Sequence, residues 1–294
     1  MRPLQFIKMH GCGNDYVFLD GFTQPLPANP SELARRISDR HTSVGSDGLV
    51  LMQPAATPGV PGQMRMFNRD GSEGTLCINA VRCFAMWLYH TGRTGPDAAI
   101  GMHDRILETR VTDSDPGRGT AMVSVNLGPI PPIHDAAEDP AAAMVRRIRL
   151  ADVRFSDAPV ELISVAIGNP HAVVFLPNLS LPEIAVLGPT IEFHPAFPDR
   201  TNVEFAQVTG GNEVRVRVWE RGSGETRACG SGACAVTLAG LFSGDFRRDR
   251  PVEVHMPGGM LSTRLDDQQS LHVQGPAAES FRGELQESAS SGGP

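Results

Sequence analysis

The sequence predicts an α+β protein built from two similar domains. Two segments echo each other. One is Asn68-Arg69-Asp70-Gly71-Ser72-Glu73-Gly74-Thr75-Leu76-Cys77, the other Glu220-Arg221-Gly222-Ser223-Gly224-Glu225-Thr226-Arg227-Ala228-Cys229. Each places a glutamate four residues before a cysteine and then enters a helical pattern of small and apolar residues. Strand-like runs flank both helices, and the proline-rich stretch Gly128–Pro140 reads as a linker between the halves.

In the first half, the apolar runs Leu4–Lys8 and Tyr16–Asp20 predict strands around the polar turn His10–Asp15. Asn29 before Pro30 marks a helix start, N-cap then first helical position, running to about Asp39. Strands are expected at Gly48–Gln53 and Gln63–Asn68. Cys77–His90 keeps a helical period through Ile78, Val81, Ala85 and Leu88. Ile106–Thr112 and Thr120–Asn126 read as further strands.

In the second half, strands are expected at Val160–Ile167 and Ala172–Leu176, followed by a short helix at Pro182–Leu187. Val214, Val216 and Val218 alternate with Arg215, Arg217 and Glu220, the period of a half-buried strand over Glu213–Glu220. Cys229–Phe242 is the second small-residue helix. Pro251–Met256 and Met260–Arg264 form a hairpin around Pro257-Gly258-Gly259, and Ser270–Gln274 is one more strand. The Ser/Gly-rich tail Glu287–Pro294 is expected to be disordered.

Composition narrows the function. The 294 residues are 40% hydrophobic and 20% charged, ordinary for a globular protein. A net charge of −7 argues against a nucleic-acid surface. No stretch reaches the ~20 apolar residues of a membrane span, and Phe6-Ile7-Lys8 is no signal peptide. An odd set of cysteines (Cys12, Cys77, Cys83, Cys229, Cys234) without a C-x-x-C pair reads as reduced thiols in the cytoplasm and leaves no structural zinc site. Lys8 is the only lysine and lies in a strand-like run, a poor Schiff-base lysine for pyridoxal phosphate.

The doubled cysteine suggests chemistry. Inverting an amino acid at Cα needs a base on one face and an acid on the other. A thiol at a helix N-terminus feels the positive end of the helix dipole, which favours thiolate. The first amides of each helix, those of Ile78 and Asn79 and of Gly230 and Ser231, are donors suited to the reacting carboxylate. Two such thiols can invert a carbon without cofactor or metal. Cys12, Cys83 and Cys234 fit buried structural cysteines.

Eight motifs in order resemble the diaminopimelate epimerase family over nearly the whole chain. They are Met9-His10-Gly11-Cys12-Gly13-Asn14-Asp15, Asp39-Arg40-His41, Asn68–Glu73, Cys77–Cys83, Gly168-Asn169-Pro170-His171, Arg200–Phe205, Trp219-Glu220-Arg221-Gly222 and Ala228–Gly232. The resemblance implies two pseudo-symmetric domains, each a mixed, mainly antiparallel sheet rolled around a central helix, with the active site in the cleft. Their expected extents are 1–127 and 128–267, a last strand at about 268–285 returning to the first domain, and a tail at 286–294.

It further implies conversion of LL- to meso-diaminopimelate with Cys77 and Cys229 as acid and base and no cofactor. Asn14 would help place the reacting end. Asn68, Asn169, Asn202, Glu220 and Arg221 would read the distal amine and carboxylate, where an Arg fork suits carboxylate and Glu suits ammonium. His171 and Glu220 are similar to residues that tune the thiols. The expected partner is the small-molecule amino acid, with a homodimer as a candidate assembly.

One departure stands out. The family pattern after the first cysteine is Gly-Asn, and here it is Ile78-Asn79. The amide survives, but a β-branched side chain joins it. Racemisation of another amino acid, a binding protein without turnover, and a Cys–His hydrolase using His171 therefore stay open. The hydrolase gives a second matched cysteine no role.

Overall fold

The computed structural model describes residues 3–131, 133, 144–180 and 184–286. The chain forms two compact units. Unit 1 comprises Met1–Gly11, Asp15–Val125 and Pro276–Pro294; unit 2 comprises Cys12–Asn14 and Asn126–Gly275.

Unit 1 opens with β1 (Leu4–Gly11) and β2 (Asn14–Asp20), followed by α1 (Pro30–Ile37). Asn29 caps α1 by accepting from the Glu32 amide, and Pro30 stands in the first turn, where a missing N–H costs nothing. Next come β3 (Gly48–Gln53), β4 (Gly62–Asn68), the two-residue β5 (Glu73–Gly74) and α2 (Ile78–His90). β6 (Asp97–Gly101), β7 (Ile106–Asp115) and β8 (Thr120–Pro129) follow. β2 runs parallel to β3, β3 antiparallel to β4, β4 parallel to β6, and β6 antiparallel to β7. Phe6, Val17, Leu19, Leu33, Ile37, Leu49 and Phe67 form the core that α1 covers.

Unit 2 repeats the pattern. It contains β9 (Val145–Phe155), β10 (Ala158–Ile167), β11 (Asn169–Phe175), α3 (Ile184–Glu192), β12 (Asn202–Gly210) and β13 (Glu213–Glu220). The short β14 (Gly224–Thr226), α4 (Gly230–Ser243), β15 (Val252–Met256) and β16 (Gly259–Leu265) complete it. β11 is parallel to β12, β12 antiparallel to β13, β13 parallel to β15, and β15 antiparallel to β16. This is the order of β2, β3, β4, β6 and β7, with α3 at the place of α1 and α4 at that of α2.

The last strand, β17 (Ser270–Leu285), pairs with β16 through Leu271–Gln274 and with β1 through Ala278–Leu285. It is far longer than the apolar run Ser270–Gln274 suggests, because pairing on β1 sustains it through polar sequence. β6 and the arginine-rich β9 carry no clear strand signal; partner strands hold them in the sheet. α3 extends past Pro189 to Glu192 rather than stopping at Leu187. The expected start of that helix at Pro182, most of the linker to Pro140 and the tail Glu287–Pro294 lie outside the described residues.

The doubled glutamate also finds its reason. Glu73 is held bidentately by Arg65 (2.7 and 2.9 Å), and Glu225 by Arg217 at the same two distances. Each pair braces the short hairpin that leads into its helix. α2 and α4 are buried along most of their lengths. In unit 1 the fully buried Arg82 secures α2, donating to Asn79 Oδ1 (2.7 Å) and to the Pro276 carbonyl (3.2 Å). Gly11 is required beside it, since a Cβ there would lie 2.6 Å from Arg82 Nη2.

In unit 2 Cys12 adopts a left-handed φ of 54°, and its carbonyl oxygen packs on the Pro257–Gly259 turn. A Cβ on Gly258 would lie 1.8 Å from that oxygen. Backbone must therefore move to admit any side chain there. Gly258→Ala is expected to lower the midpoint of chemical denaturation, at a cost of about 1–3 kcal/mol; an unchanged midpoint would contradict this packing.

Candidate active site

Cys77 and Cys229 do not lie inside their helices; they cap them. Both have extended backbone (φ −136°, ψ 102° and φ −131°, ψ 118°). Each sulfur accepts from the third amide of its helix, Ala80 N–H at 3.5 Å and Gly232 N–H at 3.4 Å. The sulfur thus takes the part that a Ser or Asp oxygen plays at an ordinary N-cap. The first two amides, of Ile78 and Asn79 and of Gly230 and Ser231, have no acceptor within their own helix.

In unit 1, Cys77 is half-buried and Ile78 is the first residue of α2, only 3% exposed. The Ile78 side chain is therefore packed inside the protein rather than turned to solvent. Asn79 is buried with its side-chain oxygen committed to Arg82, so its amide is what it offers a ligand. Asn68 ends β4 and donates from Nδ2 to Ser72 Oγ at 3.0 Å.

Unit 2 gathers more. His171 and Glu204 are both 0% exposed, with Nδ1 at 2.7 Å from Glu204 Oε1. Its Nε2 lies 3.0 Å from Asn169 Oδ1. Glu204 reaches under the first turn of α4, where a Cβ on Gly232 would meet Oε1 at 2.8 Å. Glycine at 232 therefore makes room for the carboxylate. Cys229 also has Ser231 Oγ at 3.4 Å, and its own amide donates to Met256 Sδ at 3.4 Å. Asn202 accepts the Arg221 amide at 2.8 Å. Arg221 itself is exposed, and its guanidinium donates to the Asp199 carbonyl at 2.9 Å. Asn14 lies with Cys12–Asn14 in unit 2.

Sequence reasoning misses Glu204, buried in an apolar strand, and Thr226, whose hydroxyl donates to Glu220 Oε1. The burial alternation of β12 is no guide, because both faces of the strand are covered at its start. The mere presence of a glutamate in Val203-Glu204-Phe205 is the available signal.

The electrostatics of Cys229 differ from the helix-end expectation. Burial pushes its thiol well above the ordinary range, and the Glu220 and Glu204 carboxylates push the same way. The hydrogen bonds from Ser231 and Gly232 oppose them and are outweighed. The net push favours the thiol over the thiolate at Cys229. Burial raises the Glu220 carboxyl too, against the hydrogen bonds from Thr226 and Cys229.

The family model described as diaminopimelate epimerase matches residues 6–130 and 163–278. The chain belongs to the diaminopimelate epimerase family. It is 42% identical to the diaminopimelate epimerase of Desulfovibrio desulfuricans, over 96% of this chain and 98% of that protein. To that of Methanococcus maripaludis it is 37% identical, over 96% and 99%.

Among solved structures, a Bacillus anthracis protein of the PhzF phenazine biosynthesis family aligns with a TM-score of 0.69. The identity is 12%, covering 97% of this chain and all of that one. An Agrobacterium vitis hydroxyproline epimerase gives a TM-score of 0.63 at 13% identity, over 97% and 91%. At these identities the structures speak for the fold, a two-domain α+β architecture. No described helix is long and apolar enough to cross a membrane.

Glu220 disfavours the Cys229 thiolate by its charge. Glu220→Gln should therefore let the thiolate form at lower pH. Alkylation of Cys229 followed against pH by peptide mass spectrometry is expected to begin earlier in the variant. A profile shifted to higher pH would contradict the assignment.

Proposed function

We propose that this chain epimerises LL-2,6-diaminopimelate to meso-diaminopimelate by a two-base mechanism carried by Cys77 and Cys229. The observation that supports it most is the pair of cysteine N-caps, one in each unit, each with a sulfur beside the first amides of its helix. One sulfur, as thiolate, takes the proton from Cα. The other, as thiol, returns a proton to the opposite face. The charge that spreads into the α-carboxylate is met by the amides of Ile78, Asn79, Gly230 and Ser231. Cys229, held as thiol, is the proton donor in the resting state, and Cys77 is the base for the first half-turn.

Asn14 helps place the reacting end. Asn68, Asn169, Asn202 and Arg221 read the distal amine and carboxylate, with Arg221 leaving the Asp199 carbonyl to do so. Glu220 and His171 tune the thiols; the push of the Glu220 charge on Cys229 weights Glu220 toward that task rather than toward the distal ammonium. The cytoplasm, a reducing compartment, keeps both thiols available.

Proton NMR of LL-diaminopimelate in D2O with reduced protein tests the reading. Loss of the α-proton signal together with inversion is expected, and Cys77→Ala or Cys229→Ala should each abolish inversion. Retention of inversion in either variant, or no exchange in a folded and reduced wild type, would overturn it.

A second reading, an epimerase for another amino acid on the same fold, draws on Ile78 in place of glycine. Ile78 keeps its amide and is buried, so we expect Ile78→Gly to bring no gain in kcat/KM toward LL-diaminopimelate. A clear gain would mean that the side chain restricts this substrate and would favour the second reading.

A further inference from the structure

The two hairpins that lead into the capped helices share the Arg–Glu brace but differ in sequence elsewhere, among other places at one facing pair of side chains. In β13 and β14, Val218 stands opposite Thr226 and Glu220 opposite Gly224. In β4 and β5, Met66 stands opposite Gly74. Thr226 and Gly74 each lie three residues before their cysteine, and Glu220 and Asn68 each end their strand. Where unit 2 has a hydroxyl facing a carboxylate, unit 1 has a glycine and an amide. The hairpin brace is common to both units; the Thr226–Glu220 hydrogen bond belongs to unit 2 alone.

We propose that Thr226 is a positioning residue that acts through Glu220 on Cys229. It keeps Glu220 ionised and aimed at the thiol. This rests on the acid/base reading of Cys229 given above. The Thr226 hydroxyl donates to Oε1 across the tight turn, and the turn keeps its shape through Gly222 and Gly224, both at φ 78°. The turn is anchored in turn by buried Glu192, which accepts from the Gly222 amide (2.9 Å) and Trp219 Nε1 (2.7 Å).

A carboxylate taken from water stays ionised only if donors replace the water. The groups that face Glu220 are few. Cys229 on the start of α4 and His171 on β11 favour its charge, and Glu204 on β12 opposes it. Arg221, its neighbour in sequence, is turned to Asp199. Thr226 on β14 is thus the neutral donor fixed to Glu220 whatever the protonation of the other three groups.

The test uses three proteins: wild type, Thr226→Val, which keeps the β-branched shape without the hydroxyl, and Thr226→Ser, which keeps the hydroxyl. Folding is checked by circular dichroism. The Glu220 carboxyl is titrated by carbon-13 NMR with labelled glutamate, its signal assigned through Glu220→Gln. In Thr226→Val the proton affinity of Glu220 should rise about tenfold, and Thr226→Ser should restore the wild-type titration. Alkylation of Cys229 followed against pH should begin at lower pH in Thr226→Val than in wild type, because a carboxyl that protonates more readily or turns away opposes the thiolate less.

A Glu220 titration unchanged in Thr226→Val, or a serine variant that behaves like the valine one, would overturn the proposal. So would a shifted titration that leaves the Cys229 alkylation profile unmoved. Wild type without turnover would instead defeat the functional reading, and the carbon-13 titration would still decide whether Thr226 sets the state of Glu220.

Discussion

A cysteine that caps a helix is bound by a constraint that most of this structure serves. Its sulfur must reach the third amide of the helix, so its backbone must stay extended while the next residue turns helical. That condition fixes where the sulfur is and which amides remain without helical partners. In unit 1 the Arg65–Glu73 brace delivers the chain to Cys77, and buried Arg82 ties α2 to β1 and β17. In unit 2 the Arg217–Glu225 brace does the same for Cys229, while the first turn of α4 closes over Glu204 at Gly232. The caps are equivalent; the means that hold them are not.

That division explains what could be read from the sequence. N-caps, strand alternation and turn glycines are local, so the start of α1 at Pro30, the strand over Glu213–Glu220 and both cysteine-led helices were visible as patterns. The repeat itself was visible because each unit needs the same loop to feed its helix. What stayed hidden was decided by tertiary contact. Arg82 reads as a solvent-facing helix residue, yet it is fully buried because the Asn79 side chain and the Pro276 carbonyl await it. Glu204 sits between apolar neighbours, where only its contact with His171 gives it meaning. β9 is rich in arginine and becomes a strand by pairing with β10.

The candidate site shows the same limit at finer scale. The family motifs pointed to Cys77, Cys229, Asn169, His171, Asn202, Glu220 and Arg221, and in unit 2 hydrogen bonds link His171 to Asn169 and Arg221 to Asn202. The state of Cys229 was not legible. A helix start argues for thiolate, but the effect is worth only about 0.3–1 kcal/mol at ordinary exposure. Burial of a charge beside two carboxylates costs more than that. The larger contribution comes from residues distant in sequence, and it reverses the local expectation.

An unequal pair of thiols is compatible with an enzyme that must run in both directions. In the proposed mechanism one sulfur begins as the acid, and a Cys229 held as thiol would supply that half of the pair. The ratio of kcat/KM in the two directions is fixed by the equilibrium between the stereoisomers, and no protonation bias in the enzyme can alter it. The bias can only set which enzyme form predominates before substrate arrives, and hence how the rate in each direction depends on pH. Because Glu204, Glu220 and Thr226 all stand in unit 2, and unit 1 offers Asn68 and Gly74 at the positions of Glu220 and Thr226, the asymmetry is built into the second half of the repeat. In the proposed mechanism the repeat supplies the two alike groups that inversion needs, and its local breaking in unit 2 biases which of them holds a proton before substrate arrives.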